Sequence, residues 1–357
     1  MVGGCAAVAS GTENRVHPVN MRKGLLAAGN WIVDHVKIID RWPAQDTLAS
    51  IYSESSGNGG SPYNILVDLA NLGASYPLAG AGLVGDDDDG RAILADCRAR
   101  RIESSQVRVT TEAPTSYTDV MTVRDTGRRT FFHQRGANAH FDIDHVDFET
   151  TDARLFHLGY LLLLDRLDEV NGGMPRAARL LERAQAAGLR TSIDCVSEDS
   201  GRFQSIVLPS LPFVDVLFAN DFEAEKLTGV VLRERDQISV KAAAEAARRL
   251  IGSGVRSWVV IHFPEAVLAS HVSGAVHWQP SVRLEPADIA GAAGAGDALA
   301  AGILHGLHED WEMSECLRLG VCAAAASLTH PTCSAGVQSV AKCLEFAGSR
   351  GFNRLPT

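Results

Sequence analysis

The chain lacks a disulfide framework: its 7 cysteines are an odd number, scattered from Cys5 to Cys343, with no CxxC pair and no metal-like grouping with the 12 histidines. That excludes a disulfide-stapled scaffold and a structural zinc site, and leaves reduced thiols of the kind expected in the cytoplasm. Long apolar runs are also missing. The longest, such as 255–263 and 322–328, fall far short of a membrane span. Basic tracts interleaved with aromatics are absent, aromatics make up only 6%, and the net charge is −10. A nucleic-acid or anionic-membrane surface is therefore disfavoured, and small molecules are the expected partners. Residues 1–20 have neither the basic start nor the apolar core of a signal peptide, and are set aside as a tail or cloning remnant. No repeat, low-complexity tract or Pro/Gly/Ser linker divides the 357 residues, which suits one enzyme-sized unit.

What is present is an alternation. Strand-like runs at 24–33, 75–81, 153–158, 190–194, 214–219 and 257–262 are interleaved with helix-like runs at 62–72, 90–101, 175–187, 221–227, 241–251, 295–307 and 314–328. That order predicts an α/β fold with a parallel sheet covered by helices on both faces. Two stretches break the rhythm. Residues 36–52 and 116–133 alternate polar with β-branched side chains, and the second carries the hairpin signal Asp125-Thr126-Gly127. They read as a small antiparallel sheet outside the main one, a lid.

The most informative segment is Gly291-Ala292-Ala293-Gly294-Ala295-Gly296-Asp297, running straight into an apolar-periodic helix. Glycines let the backbone approach a ligand, and the first N–H groups of the helix lack partners and attract anions. A carboxylate on that first turn can take a proton from a hydroxyl while the N–H groups hold charge on a phosphoryl group. The competing reading is a tight turn in which Asp297 merely caps the helix. Other polar clusters follow predicted strands, where open parallel sheets bind ligands. Asp34 ends the first apolar run, Gly57-Asn58-Gly59-Gly60 precedes the helix carrying Asn64, and Asn220-Asp221-Phe222-Glu223 follows strand 214–219. Asn220 and Glu223 read either as a capping box or as organisers of hydrated Mg²⁺ on nucleotide phosphates. The acidic run Asp86 to Asp89 reads as a solvated loop and helix start, since four consecutive carboxylates cannot face one ion from a single turn.

In order and spacing these segments resemble the PfkB (ribokinase-like) carbohydrate kinase family. Gly59-Gly60-Ser61-Pro62-Tyr63-Asn64, Ala70-Asn71-Leu72-Gly73-Ala74 and Val84-Gly85-Asp86-Asp87-Asp88-Asp89-Gly90 are similar to its amino-terminal signature. Gly294-Ala295-Gly296-Asp297 is similar to the carboxy-terminal signature, and the run Asn220 to Gly229 to its NxxE segment. Gly29 to His35 and Gly136-Ala137-Asn138 are similar to ribokinase-type members.

The resemblance implies a three-layer αβα sandwich over residues 24–345, around a mainly parallel sheet, with β-lid segments inserted at 36–56 and 113–134. It implies ATP- and Mg²⁺-dependent phosphorylation of a primary hydroxyl on a sugar or sugar-like acceptor. On that pattern Asp297 is the general base, and Gly294, Ala295, Gly296 and Asp297 form the anion hole. Asp34, Gly59, Gly60, Asn64 and Asn138 hold the acceptor. Asp194 faces the phosphates, and Asn220 and Glu223 support Mg²⁺, Glu223 through water. Arg135, Tyr63, Tyr117 and Tyr160 are further substrate-facing candidates or packing residues. Pairing of two copies through an apolar outer lid face (Tyr117, Val120, Thr122, Phe131) is a further implication.

Departures from the pattern change the expectations. Gly291, Ala292 and Ala293 stand where the family has Asp-Thr-Thr, so K⁺ dependence is doubtful. His262-Phe263-Pro264-Glu265-Ala266 replaces a glycine-rich nucleotide turn, which puts nucleotide affinity or identity in question. Ser61 and Ile32 replace a lysine and an asparagine of ribokinase-type members, so ribose is not the assured acceptor. The Gly-Gly-Ser-x-x-Asn form also fits a nucleoside kinase. A regulator that binds sugar or nucleotide with impaired catalysis is the reading from another class, and retention of Asp297 argues against it.

Overall fold

The computed structural model describes residues 22–235, 237–291 and 293–356, so the tail expected over 1–20 lies outside the described residues. Two-residue pairings aside, the strands are β1 (Leu25–Gly29), β2 (Ile32–Ile39), β3 (Ile51–Gly59), β4 (Leu78–Gly85), β5 (Glu103–Thr110), β6 (Ser116–Val123), β7 (Arg129–Gln134), β8 (Leu155–Leu161), β9 (Arg190–Cys195), β10 (Val216–Asn220), β11 (Trp258–His262), β12 (Ala266–His271) and β13 (Val276–Pro280). The longer helices are α1 (Ser61–Leu72), α2 (Asp88–Ala99), α3 (Arg176–Ala186), α4 (Asp221–Thr228), α5 (Val240–Gly252), α6 (Ala295–His308), α7 (Met313–Leu328) and α8 (Val340–Arg350).

Short apolar runs build the main sheet, ordered β13-β12-β11-β10-β9-β8-β1-β4-β5. It is parallel from β5 to β11, and β12 and β13 add an antiparallel edge. All five residues of β1 are buried, as a central strand covered on both faces requires. Its alternate side chains divide between two cores. Leu25 and Ala27 pack with residues of α1, α6 and α7, and Leu26 and Ala28 with residues of α3, α4 and α5. The result is the expected three-layer sandwich. Because seven strands run the same way, their carboxyl ends open on one edge, with Gly29 level with Gly159 and Asn220 level with His262. Asp87 caps α2 by accepting from the Gly90 N–H at 2.8 Å, as the helix-start reading of the acidic run expects.

The differences from expectation are local. The run 24–33 is not one strand: it breaks after Gly29, and β2 leaves the main sheet for a lid ordered β3-β2-β6-β7. The lid is mixed rather than antiparallel. β2 and β6 run parallel, because each enters from the carboxyl edge of the main sheet after a core strand, whereas β3 and β7 are hairpin returns. The apolar lid face also divides. Thr118 lines the cleft, and Val120 and Thr122 share its side by alternation, with Val120 only 2% exposed. Tyr117 points the opposite way against His35, and Phe131 lines the cleft, so these four residues do not form one outer face. β5, β12, β13 and α8 were not expected. β5 is a half-exposed edge strand with a polar sequence, which periodicity reads poorly. After α8, Phe352 pairs with Val282, so the α/β unit continues beyond residue 345.

Candidate active site

The amino-terminal end of α6 lies at the carboxyl edge of the sheet. Gly294 occupies the N-cap position at φ 77°, and no side chain caps the helix. A Cβ on Gly294 would press against Cys333 at 2.7 Å, so only glycine suits both the turn and the space. The first-turn N–H groups of Ala295, Gly296 and Asp297 are those an α-helix leaves without intrahelical partners. Asp297 does not cap the helix. Its carboxylate is buried, and Oδ2 accepts hydrogen bonds from Asn64 Nδ2 at 2.7 Å and Tyr160 OH at 3.0 Å. Burial and the neighbouring Asp194 charge raise its pKa to about 7, while the Asn64 and Tyr160 hydrogen bonds restrain the rise.

A cavity of about 550 Å³ lies under the lid between Asp297 and strands β6 and β7. Asp34, Gly60, Asn64, Tyr160, Asp194, Gly294, Gly296 and Asp297 all reach it. Gly60 has φ 94°, and a Cβ there would overlap the Asn30 carbonyl. One on Gly59 would overlap the Asp34 carboxylate, so this turn lets β3 close onto Asp34. Burial raises Asp34 to about 6, partly offset by the Cys333 thiol, with Sγ 3.7 Å from Oδ2, and by the Arg129 charge. Asp194 accepts from Ser61 Oγ at 2.7 Å and from the Tyr160 N–H at 2.6 Å. Ser61 also meets buried His157, whose other ring nitrogen meets Ser192. Ser61 thus belongs to an internal polar chain that fixes Asp194.

Some expected residues are placed elsewhere. Asn138 is fully buried and both ends of its amide are engaged by the backbone of Trp31, at 3.2 and 3.1 Å, so it clips the β1–β2 break instead of facing the cavity. Tyr63 packs in the core with its hydroxyl on Asp96, and Arg135 pairs with Asp165 and the Leu162 carbonyl.

A second cavity, about 580 Å³, lies between α6, α7 and the β11–β13 edge. Its lining is mainly apolar, including Phe263, Val282, Leu299, Val321 and Leu328. Asn220, His262 and Gly296 line both cavities, so the two meet at the start of α6. The segment His262 to Ala266 supplies part of its wall. Asn220 and Glu223 form the capping box: Asn220 Oδ1 accepts from the Glu223 N–H at 2.9 Å, and Glu223 Oε2 from the Asn220 N–H at 3.0 Å. Ser197 Oγ and Asn220 Nδ2 bond the other carboxylate oxygen, and burial raises Glu223 to about 8. Both Glu223 oxygens are engaged, which suits an indirect role toward a cation. No group of three or more His, Cys, Asp or Glu side chains among the described residues is arranged to hold a metal.

Three site residues were not singled out from the sequence as cavity groups. His262 ends β11, held neutral by burial that lowers its pKa to about 4, and the rule that ligands bind beyond strand ends would have flagged it. Arg129 and His133 reach the cavity from β7, a placement that only the lid's register decides.

Comparison with known proteins places this geometry. A family model described as pfkB family carbohydrate kinase matches residues 28–339. An ATP-dependent ribose-1-phosphate kinase of Halopiger xanaduensis is 27% identical over 283 residues, covering 78% of this chain and 83% of that protein. A ribokinase of Haemophilus influenzae is 23% identical, over 91% of this chain and 99% of its own. Among solved structures, ribokinase from Thermotoga maritima superposes with a TM-score of 0.73 at 18% identity, covering 92% of this chain and 99% of that one. Arabidopsis thaliana ribokinase complexed with ribose and ATP gives 0.73 at 19% identity, with the same coverage. A ribokinase-like sandwich, a β-lid and a family match across most of the chain lead to one conclusion: the protein belongs to the pfkB family of carbohydrate kinases.

Proposed function

We propose that the protein transfers the γ-phosphoryl group of ATP to a primary hydroxyl of a sugar or sugar-like acceptor held under the lid. The observation that carries this reading is Asp297, whose buried carboxylate stands where the two cavities meet, with a pKa near neutrality. Asp297 takes the proton of the attacking hydroxyl as the new O–P bond forms and the bond to the leaving ADP oxygen breaks. A base with a pKa near the working pH suits that step. Asn64 and Tyr160 hold the carboxylate in register, and the N–H groups of Ala295, Gly296 and Asp297 stabilise charge on the transferring group. Asp34, Gly60 and Asn64 are the acceptor contacts, and closure of the lid excludes water as a competing acceptor.

The apolar second cavity has the volume and lining for a nucleotide base, and Gly296, which lines both cavities, leaves room for phosphates. Mg²⁺ would be held chiefly by those phosphates and water, with Asn220 and Glu223 ordering that water; it would neutralise phosphate charge. The Gly291 departure supports turnover that does not need K⁺. No helix among the described residues is long and apolar enough to cross a membrane. Their cysteines are free thiols and buried, which suits a reducing compartment such as the cytoplasm.

The test is ATP-dependent ADP release with Mg²⁺ against neutral sugars, sugar phosphates, sugar acids and nucleosides, with and without K⁺. Turnover with one acceptor class should fall about 10²–10⁴-fold in Asp297→Asn. Equal rates in wild type and variant would overturn the assignment of the base.

A further inference from the structure

The acceptor cavity holds one feature that a neutral sugar does not use. Among the side chains lining it, Arg129 is the only lysine or arginine, and it makes no ion pair with any described residue. It is half-buried, and burial penalises its charge, with only the fields of Asp34 and Cys333 acting in its favour. A cation taken out of water without a partner is costly. Nearly every other arginine held near the site has its acid: Arg135 pairs with Asp165, Arg202 with Glu198 and Asp168, and Arg233 with Asp221 and Glu265.

A second orphan lies on the same strand. His133 is four residues further along β7, hence on the same face, and lines the same cavity. Its Nδ1 meets Thr118 Oγ1 at 3.0 Å, while its Nε2 is buried without a partner. When Thr118 donates to Nδ1, Nε2 carries the proton, an unused hydrogen-bond donor on a side chain that lines the cavity. Phe131 lies between the two on that face, with the Arg129 guanidinium 5.8 Å from its ring. The lid thus presents a cation, an apolar ring and a neutral N–H donor in a row, across the cavity from the carboxyls of Asp34, Asp194, Glu223 and Asp297.

Resting on the kinase reading above, we propose that the acceptor carries an anionic group, a phosphate ester or a carboxylate, which Arg129 and His133 bind from the lid while Asp297 receives the hydroxyl at the other end of the cavity. The guanidinium fork matches either oxyanion, and the His133 N–H adds a third donor. Such an acceptor would supply the partner that Arg129 lacks. It would also bring the lid strand down on the site, so that anion binding and water exclusion are one event.

The competing account makes Arg129 a structural counter-charge to Asp34. That account predicts the same loss for every acceptor when Arg129 is removed, and no change in the ranking of acceptors. The experiment compares a neutral pentose, the same pentose as its phosphate ester, and a sugar acid of similar size. It measures kcat and KM for the wild type, Arg129→Gln and Arg129→Lys, and direct calorimetric binding of the same compounds to Asp297→Asn. The expected result is at least tenfold higher kcat/KM for one anionic acceptor than for the neutral sugar. Arg129→Gln should remove that preference, about 10- to 100-fold and mainly through KM. Arg129→Lys should restore part of it, and the loss in Arg129→Gln should be larger for the anionic acceptor than for the neutral sugar. Whether ester or acid responds identifies the oxyanion. Equal handling of neutral and anionic acceptors, or a preference that survives Arg129→Gln, overturns the proposal. If nothing is turned over above the Asp297→Asn background, the kinase reading fails by itself. Binding then decides the anion site: an anionic sugar bound no tighter than its neutral parent overturns that too.

Discussion

Two cavities of nearly equal volume meet at the first turn of α6, yet they are built from opposite materials. The nucleotide-side cavity has one ionisable acid in its lining, Asp221, and that acid is already paired with Arg233. The acceptor-side cavity gathers Asp34, Asp194, Glu223 and Asp297 with the unpaired Arg129. In the first, shape and apolar burial supply affinity, which tolerates sequence drift such as the loss of the glycine-rich turn at 262–266. In the second, burial first and the neighbouring Asp194 charge after it raise the Asp297 carboxyl to about 7. On the proposed function, one side of the site holds a ligand and the other reacts with one.

The comparison can be broken at the shared turn. Gly294→Ala adds a Cβ against Cys333 at a backbone angle that favours glycine, and should lower kcat about 100-fold through misplaced N–H groups. Steady-state kinetics should show ligand binding in both cavities largely retained; unchanged kcat would mean that this turn does not form the anion hole. The polar side alone should respond to pH. With Asp297 as the proposed base, active when deprotonated, and its pKa raised by burial to about 7, kcat/KM should fall about tenfold per unit as pH drops below 7. A flat profile between pH 5 and 7 would show that burial does not raise the base toward neutrality, or that Asp297 is not the base. The apolar side alone should respond to filling. Ala324 on α7 lines only the nucleotide cavity, and Ala324→Phe should raise KM for ATP roughly fivefold and leave that for the acceptor unchanged. A matching rise in the acceptor's KM would show that the two cavities are not separable.

Much of the fold was legible because it rests on local pattern. Buried parallel strands are continuous apolar runs, and β1, β8 and β10 stand out as such in the sequence. The start of α6 was legible for the same reason, since glycines followed by an apolar helix are a local signal. Less was legible where a residue's role depends on a distant partner. Asn138 and Asn64 are both asparagines inside recognisable segments. One is used up on the Trp31 backbone 107 positions away, and the other reaches Asp297 across 233 positions. Tyr160 was one of four aromatic or basic candidates with equal claims. It is distinguished only by a backbone held at φ 55° between Asp194 and Asp297.

By itself the sequence determined the sandwich and the glycine-rich turn that opens α6 with Asp297 in its first turn, because chain neighbours and periodic burial suffice for each. Tertiary structure alone decided the lid's parallel β2–β6 pairing, the chain from Ser61 through Asp194 to Tyr160, and the position of Arg129 over the acceptor cavity. Each of these depends on contacts between segments far apart in the chain, and on burial that turns ordinary carboxyls into a base near neutrality and an ordinary arginine into an unpaired charge.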